Sequence, residues 1–344
     1  METKRLIVDN NVNNSQTYTQ AVEKLVAGEV VAFPTETVYG LGAIATNEQA
    51  VAKIFQAKGR PSDNPLIVHF GAANHIMDYV SEISEKAEVC IDAFWPGPLT
   101  LILNAKPNVF APNVTAGLQT VGVRMPDHPV ALELLEMLGQ PVAAPSANRS
   151  GKPSPTTALH VEKDLTGRIP LILDGGATGI GLESTVVDFT VDPPVILRPG
   201  GVTASMLRKV IGEVIEPDTT KVEDETVPRA PGMKYAHYAP DAPVFLIHPN
   251  REAIDKAIKT IHRNHQKVAL LASDEFNQSQ ADWFFSLGNQ QNPEDSAQHL
   301  YAHLRACDDT SADIVLVTVP EKTGVGAAIF NRLEKAADGN WWSS

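Results

Sequence analysis

Residues 33–70 read FPTETVYGLGAIATNEQAVAKIFQAKGRPSDNPLIVHF, and they contain the alternation that sets the fold class. Val30–Phe33 is a short apolar run and predicts a buried strand. Thr46-Asn47-Glu48-Gln49 has the spacing of a capping box, and Val51, Ile54 and Phe55 follow at helical intervals. A helix is therefore expected there, and Leu66–Phe70 predicts the next strand. Between strand and helix lie Pro34, Thr35, Glu36, Thr37, Tyr39, Gly40 and Gly42. Hydroxyls and glycines at a strand end can set side-chain oxygens and bare N–H groups against a ligand. The plainer reading is a turn entering the helix.

Working outward, the pattern repeats. A helix is expected over Gln16–Ala27, closed by Gly28. Strands are expected at Leu99–Leu103, Thr120–Val123, Pro141–Ala144, Leu171–Leu173, Thr185–Phe189 and Val195–Leu197. Helical patterns at Ser84–Phe94, Val130–Leu138 and Thr157–Leu165 lie between them. Interleaving of this kind indicates an α/β or mixed α+β domain with a large sheet. Around residue 212 the texture turns polar and acidic, then dense in proline, glycine and tyrosine, which reads as a linker. Alternation resumes at Val244–Ile247 and runs to a helix at Ala327–Ala336. The expected division is residues 1–211, a linker over 212–243, and a smaller α/β domain over 244–344.

Composition narrows the class. Of 344 residues, 43% are apolar and 20% charged, enough for two domains with proper cores. Cys90 and Cys307 lie far apart with no CxxC, as expected in a reducing compartment. The start METKRLIVDN has no apolar signal core, and no run approaches the roughly 18 apolar residues of a membrane span. A cytoplasmic protein is expected. Net charge is −13, with 16 basic against 21 acidic residues over 1–210 (−5) and 12 against 20 over 211–344 (−8). Neither half offers the cationic field that bulk nucleic-acid binding needs.

Four clusters could carry chemistry. Lys58-Gly59-Arg60-Pro61 places two cations in a loop, suited to triphosphate oxygens or to a helix C-terminus. Over Val142–Ser154 a strand runs into a segment crowded with small polar residues. Asp174–Thr185 is glycine-rich but is neither GxGxxG nor a P-loop. Leu197-Arg198-Pro199-Gly200-Gly201 puts an arginine before a turn. His69 ends the apolar strand LIVHF, just after the basic loop. No GxSxG elbow or activated cysteine is present, and His299 and His303 at i, i+4 lack a third metal ligand nearby.

The strings PTETVYGLG, KGRPSDNPL, FWPGPLTLIL, TVGVRMPDHP, PSANRSGKPSPT, ESTVVD and ILRPGG closely resemble the YrdC-like family. With PGMKYAHYAP and GVGAAIFNRLEKAA, the chain resembles its long form, the threonylcarbamoyl-adenylate synthases. The resemblance implies a twisted, open, mixed α/β sheet with a concave, locally positive face, and a smaller Rossmann-like α/β domain after it. It implies that L-threonine, bicarbonate or CO2, and ATP give L-threonylcarbamoyl-AMP and pyrophosphate. A downstream transferase complex would then modify adenosine in tRNAs reading codons that begin with A. Carried over by position, the threonine site maps to Thr37, His69, Arg124, Ala144 and Ser184. The ATP site maps to Lys58, Arg60, Asn64, Thr120, Ser146, Asn148, Ser154 and Arg198. Tyr235 or Tyr238 of the linker would cover the nucleotide, with Tyr238 preferred. Lys58, Arg60 and Arg198 would offset phosphoryl charge, with Mg2+ arriving on ATP and no tightly bound protein metal. The alternative is an RNA-binding module using the concave face, against which the acidic balance weighs. Stable nucleic-acid binding is not expected.

Overall fold

Strands and helices alternate from Lys4 onward in the computed structural model, which describes residues 1–9, 13–216 and 238–343. The chain divides into two units. The first comprises Met1–Ser150, Pro155–Gly179 and Glu183–Lys234; the second comprises Gly151–Ser154, Ile180–Leu182 and Tyr235–Ser344.

The first unit is built on strands β1 (Lys4–Ile7), β2 (Val31–Phe33), β3 (Gly40–Ile44), β4 (Ile67–His69) and β5 (Leu99–Asn104). It continues with β6 (Thr120–Arg124), β7 (Val142–Ala143), β8 (Leu171–Asp174), β9 (Thr185–Asp188) and β10 (Val195–Arg198). Its helices are α1 (Ser15–Val26), α2 (Glu48–Lys58), α3 (Glu85–Phe94), α4 (Pro112–Thr115), α5 (Pro129–Leu138), α6 (Ala158–Leu165) and α7 (Ala204–Ile211). The strands form one mixed sheet in the order β1-β8-β2-β3-β7-β4-β6-β5-β9-β10. Alternation explains its layering. Val31 and Phe33 of β2 join α1 and α5 in one apolar cluster, whereas Val30 and Ala32 join α2, α3, α6 and α7 in another. Helices therefore pack on both faces, and the large mixed α/β sheet is the one the sequence led us to expect.

Three local details depart from the sequence reading. The GLG segment is not a turn but strand β3, antiparallel to β2 with Val31 opposite Gly42. A Cβ on Gly42 would lie 2.7 Å from both a Phe33 ring carbon and Val142 Cγ1, so glycine here lets large neighbours close over the strand. The cap of α2 is Asn47, whose side chain accepts from Ala50 N, and not Thr46. The β1, α4 and α7 segments are short and carried no clear periodic signal.

The second unit holds β11 (Val244–Ile247), β12 (Val268–Ala272), β13 (Trp283–Ser286) and β14 (Ile314–Thr318) in an all-parallel sheet of order β11-β14-β12-β13. Helices α8 (Arg251–Arg263), α9 (Pro293–Cys307) and α10 (Val325–Ala336) accompany it. Ile254, Ala257, Ile258 and Ile261 make the buried stripe of α8, at helical spacing. Two short pieces of the first two hundred residues are built into this unit. Lys152 Nζ meets Asp241 at 2.6 Å and Asp308 at 3.0 Å, and Arg305 Nη2 donates to Pro153 O. Gly181, at φ +78°, lies so close to α9 that a Cβ would stand 2.5 Å from Ala297 O. No helix among the described residues is long and apolar enough to cross a membrane.

Candidate active site on the polar face of the large sheet

Strand alternation assembles this site. On one face, Val68, Leu99, Leu101, Leu103, Val121, Val123, Val187 and Ile196 enter the main core. The residues between them, from β4 to β10, point to the opposite face. There Ile67, Ile102 and Val186 form a small apolar floor, with Leu197 against it. Around the floor stand His69, Thr100, Thr120, Arg124, Ser184 and Arg198, all of them buried except the partly exposed Thr120. A register irregularity between Ile196 and Arg198 sets Arg198 opposite Val186 while Leu197 joins the floor. Helices α1 and α5 pack on the other half of this face, through Tyr18, Ala21, Leu25, Val130, Ala131, Leu134, Leu135 and Leu138.

Arg124 is the centre of the first group. Its register partner across β4 and β6 is His69, so the two side chains are neighbours on one face. The guanidinium is 4% exposed; Nε donates to Gly97 O at 3.2 Å and Nη1 to Thr37 Oγ1 at 3.0 Å. Thr37 Oγ1 also lies 2.7 Å from Thr35 Oγ1, and Thr35 in turn bonds the Val38 carbonyl. Nη2 stands 2.5 Å from Glu36 Oε1, an ionic contact without the alignment of a hydrogen bond. Burial, then the charge of Arg124, pushes His69 down to about 3, so the ring is neutral at ordinary pH. Its Nδ1 has no hydrogen-bond partner, and Phe33 meets the ring edge-on at 6.4 Å. Ala144 is buried, and its N–H is committed to Ile67 O.

Ser184 leads into a second group. Its Oγ lies 2.8 Å from Thr100 Oγ1 and accepts from Arg198 Nη2 at 3.2 Å. Arg198 Nε and Nη2 both donate to the Ser184 carbonyl, at 3.1 and 3.0 Å. The third group ties two sequence clusters together. Lys58, at the end of α2, sends Nζ to Ser146 O at 2.5 Å, Asn148 O at 2.7 Å and Asn148 Oδ1 at 3.2 Å. Ser146 Oγ and Asn148 Oδ1 are themselves 2.5 Å apart, and Ser150 N donates to Lys58 O. Arg60 reaches the Asn64 carbonyl from Nη2 at 3.4 Å. Asn64 is fully buried, yet neither Oδ1 nor Nδ2 has a partner, which is costly unless a ligand completes it.

The sequence-derived residues of the first unit thus fall into bonded groups: Thr37 with Arg124, Ser184 with Arg198, Lys58 with Ser146 and Asn148, Arg60 with Asn64. Thr120 opens β6, opposite Asn104. Ser154 belongs to the second unit, and so does Tyr238. The Tyr238 ring is buried there, 5.2 Å from Tyr301 and 6.0 Å from the Arg332 guanidinium carbon. Tyr235 lies outside the described residues. Sequence reading placed Glu36 in the strand-end cluster without a role of its own and missed Thr100 and the Gly97 carbonyl. Thr100 was legible as a polar residue alternating with core leucines in LTLIL; Glu36, in a loop, had no periodic signal.

Other chemistries find little support. Burial pushes the Cys90 and Cys307 thiols up to about 12, far from a reactive thiolate. His299 and His303 stack at 5.5 Å, and among the described residues no group of three or more His, Cys, Asp or Glu side chains could hold a metal ion.

Comparison with known proteins adds an independent finding. Residues 23–200 match the Sua5/YciO/YrdC family described as "Telomere recombination", and 202–338 match "Threonylcarbamoyl-AMP synthase, C-terminal domain". A Bacillus subtilis (strain 168) protein named threonylcarbamoyl-AMP synthase is 49% identical over 343 residues, spanning 98% of this chain and 99% of the relative. A Pyrococcus abyssi protein of the same name is 48% identical over 315 residues, 90% of this chain and 91% of its own. The crystal structure of P. abyssi Sua5 complexed with L-threonine superposes with a TM-score of 0.93 at 44% identity, covering 98% of this chain and 99% of that one.

Proposed function

This chain belongs to the Sua5/YciO/YrdC family in its two-domain form, and from that membership we propose that it is a threonylcarbamoyl-AMP synthase. It joins L-threonine, bicarbonate or CO2, and ATP into L-threonylcarbamoyl-AMP, releasing pyrophosphate. The observation that carries this reading is the buried Arg124, a carboxylate receptor set beside a neutral His69 on the polar sheet face.

The residues divide the work by charge. Arg124 takes the threonine carboxylate, for which a guanidinium is the natural fork. Thr37, Ser184 and the main chain at Ala144 serve the hydroxyl and nitrogen, and neutral His69 adds no competing charge. The threonine nitrogen, once deprotonated, forms a bond to carbon, either as a C–O π bond of CO2 opens and a nitrogen proton passes to solvent or as bicarbonate loses its hydroxyl as water, giving a carbamate. A carbamate oxygen then attacks the α-phosphorus, and pyrophosphate leaves with the electrons of the broken P–O bond. Negative charge grows on phosphoryl oxygens, where Lys58, Arg60 and Arg198 offset it. Asn64, Thr120, Ser146 and Asn148 supply polar contacts to the nucleotide.

Mg2+ comes as part of the ATP complex, where it neutralises phosphate charge. Lys58, Arg60 and Arg198 would meet the phosphate oxygens of that complex, and the ion would supply further charge neutralisation there. The product is a reactive mixed anhydride, consumed in the cytoplasm by a transferase complex that acts on tRNA. The RNA-binding alternative gains nothing from the relatives, whose names are those of synthases.

Pyrophosphate release from ATP and bicarbonate, measured with and without L-threonine, tests the reading. Threonine-dependent release is expected, falling about 10²–10³-fold in Arg60→Ala. Folded wild-type protein with no threonine-dependent release would sink it.

A further inference from the structure

The catalytic reading accounts for Arg124 but leaves its acidic neighbour unused. Among the described contacts of Arg124, Glu36 is the only acid. The Arg124 side chain is 4% exposed and that of Glu36 11%, so the pair is largely dry. Both Glu36 oxygens are buried without a hydrogen-bond donor, and Arg124 Nη2 is likewise unbonded despite the 2.5 Å contact. A buried carboxylate with unused acceptor capacity is costly and is suited to an incoming cationic donor.

A free α-amino acid is such a ligand. It carries a carboxylate and an ammonium two bonds apart, and both lose water on entering the site. The residues assigned to threonine, Thr37, His69, Ala144 and Ser184, include no anion, and His69 is neutral. With Arg124 alone, the substrate ammonium would be buried without a counter-charge. A neighbouring cation and anion complement a zwitterion as two opposed dipoles, and the complex gains no net charge.

We propose that Glu36 receives the α-ammonium of the substrate, so that the Glu36–Arg124 couple recognises L-threonine as a zwitterion. Glu36 is a positioning and specificity residue that fixes the nitrogen before it loses its proton and attacks carbon. This rests on Arg124 being the carboxylate receptor.

Calorimetry compares L-threonine with (R)-3-hydroxybutyrate, the same skeleton without the amino group. Glu36→Gln should weaken threonine binding about 10- to 100-fold, the range for a hydrogen bond to a charged group. Binding of (R)-3-hydroxybutyrate should stay within about threefold, and Glu36→Asp should restore part of the preference and stands in if the glutamine variant does not fold. Equal weakening of both ligands would mean a merely structural role and overturns the proposal. Tighter threonine binding would mean that Glu36 only competes for Arg124, and overturns it too. Arg124→Gln should weaken both ligands; if it weakens neither, the carboxylate site itself is misplaced, whatever Glu36 does.

Discussion

Single residues in this site are defined by the water they have lost, and His69 shows the consequence. Its proton affinity is pushed down to about 3 from an ordinary 6.5, chiefly by burial and then by Arg124. Between those values the unfolded chain binds a proton that the folded one refuses. Stability therefore falls as pH drops from about 6.5 toward 3 and is unaffected by His69 above that window. Urea unfolding of wild type and His69→Asn, from pH 7 to pH 4, should show a steeper acid loss for wild type. Parallel curves would mean that His69 is not buried neutral. Activity above pH 5 should show no step from this histidine. Arg124 came only from the family resemblance, while His69 was legible because it ends an apolar strand just after the basic loop. Glu36 was not, because an acid in a loop looks the same whether it faces water or a buried guanidinium.

Secondary-structure elements carry the site by what they exclude. The PGG turn after β10 lies against the start of β9, where a Cβ on Gly200 would press within 2.5 Å of Glu183 O and Ser184 C, and closer still to Thr185 N. Backbone cannot yield as a side chain tip can. Gly200→Ala should cost about 1–3 kcal/mol of stability and also displace Ser184 from Arg198. Chemical denaturation gives the first figure; the KM for threonine, rising beyond what the lost folded fraction explains, gives the second. An unchanged KM would place Ser184 outside the threonine site. The same packing logic explains why β3 was read as a loop. Propensity counts glycine against a strand, but Gly42 is required where Phe33 and Val142 close over the backbone. Elements with strong helical periods, such as α5, expected over Val130–Leu138, and α6, expected over Thr157–Leu165, matched their expected ranges to within a residue.

The molecule as a whole is not divided at one point of its sequence. A change in composition near 212 was read as a linker, most of which lies outside the described residues, but composition is blind to contacts, and the second unit also gathers Gly151–Ser154 and Ile180–Leu182. The bonds that seat these pieces are unequal. The Lys152–Asp241 pair has an 82% exposed acid and contributes little. The buried Arg305, bonded to Pro153 O, and the close seat of Gly181 on α9 hold more. Co-expressed fragments 1–216 and 238–344 should therefore copurify, and Gly181→Val in the larger one should separate them. Fragments that never associate would show that these contacts do not hold the pieces.

The inserted pieces also bear on how such a gene can be edited. Deleting the coding sequence for the last hundred residues would leave Lys152, Pro153 and Gly181 as sockets without plugs. A recombination that exchanges the downstream half must therefore be matched by changes at two upstream codon clusters. Within this chain the upstream clusters and the downstream half therefore form a matched set, even though each half has a sheet of its own.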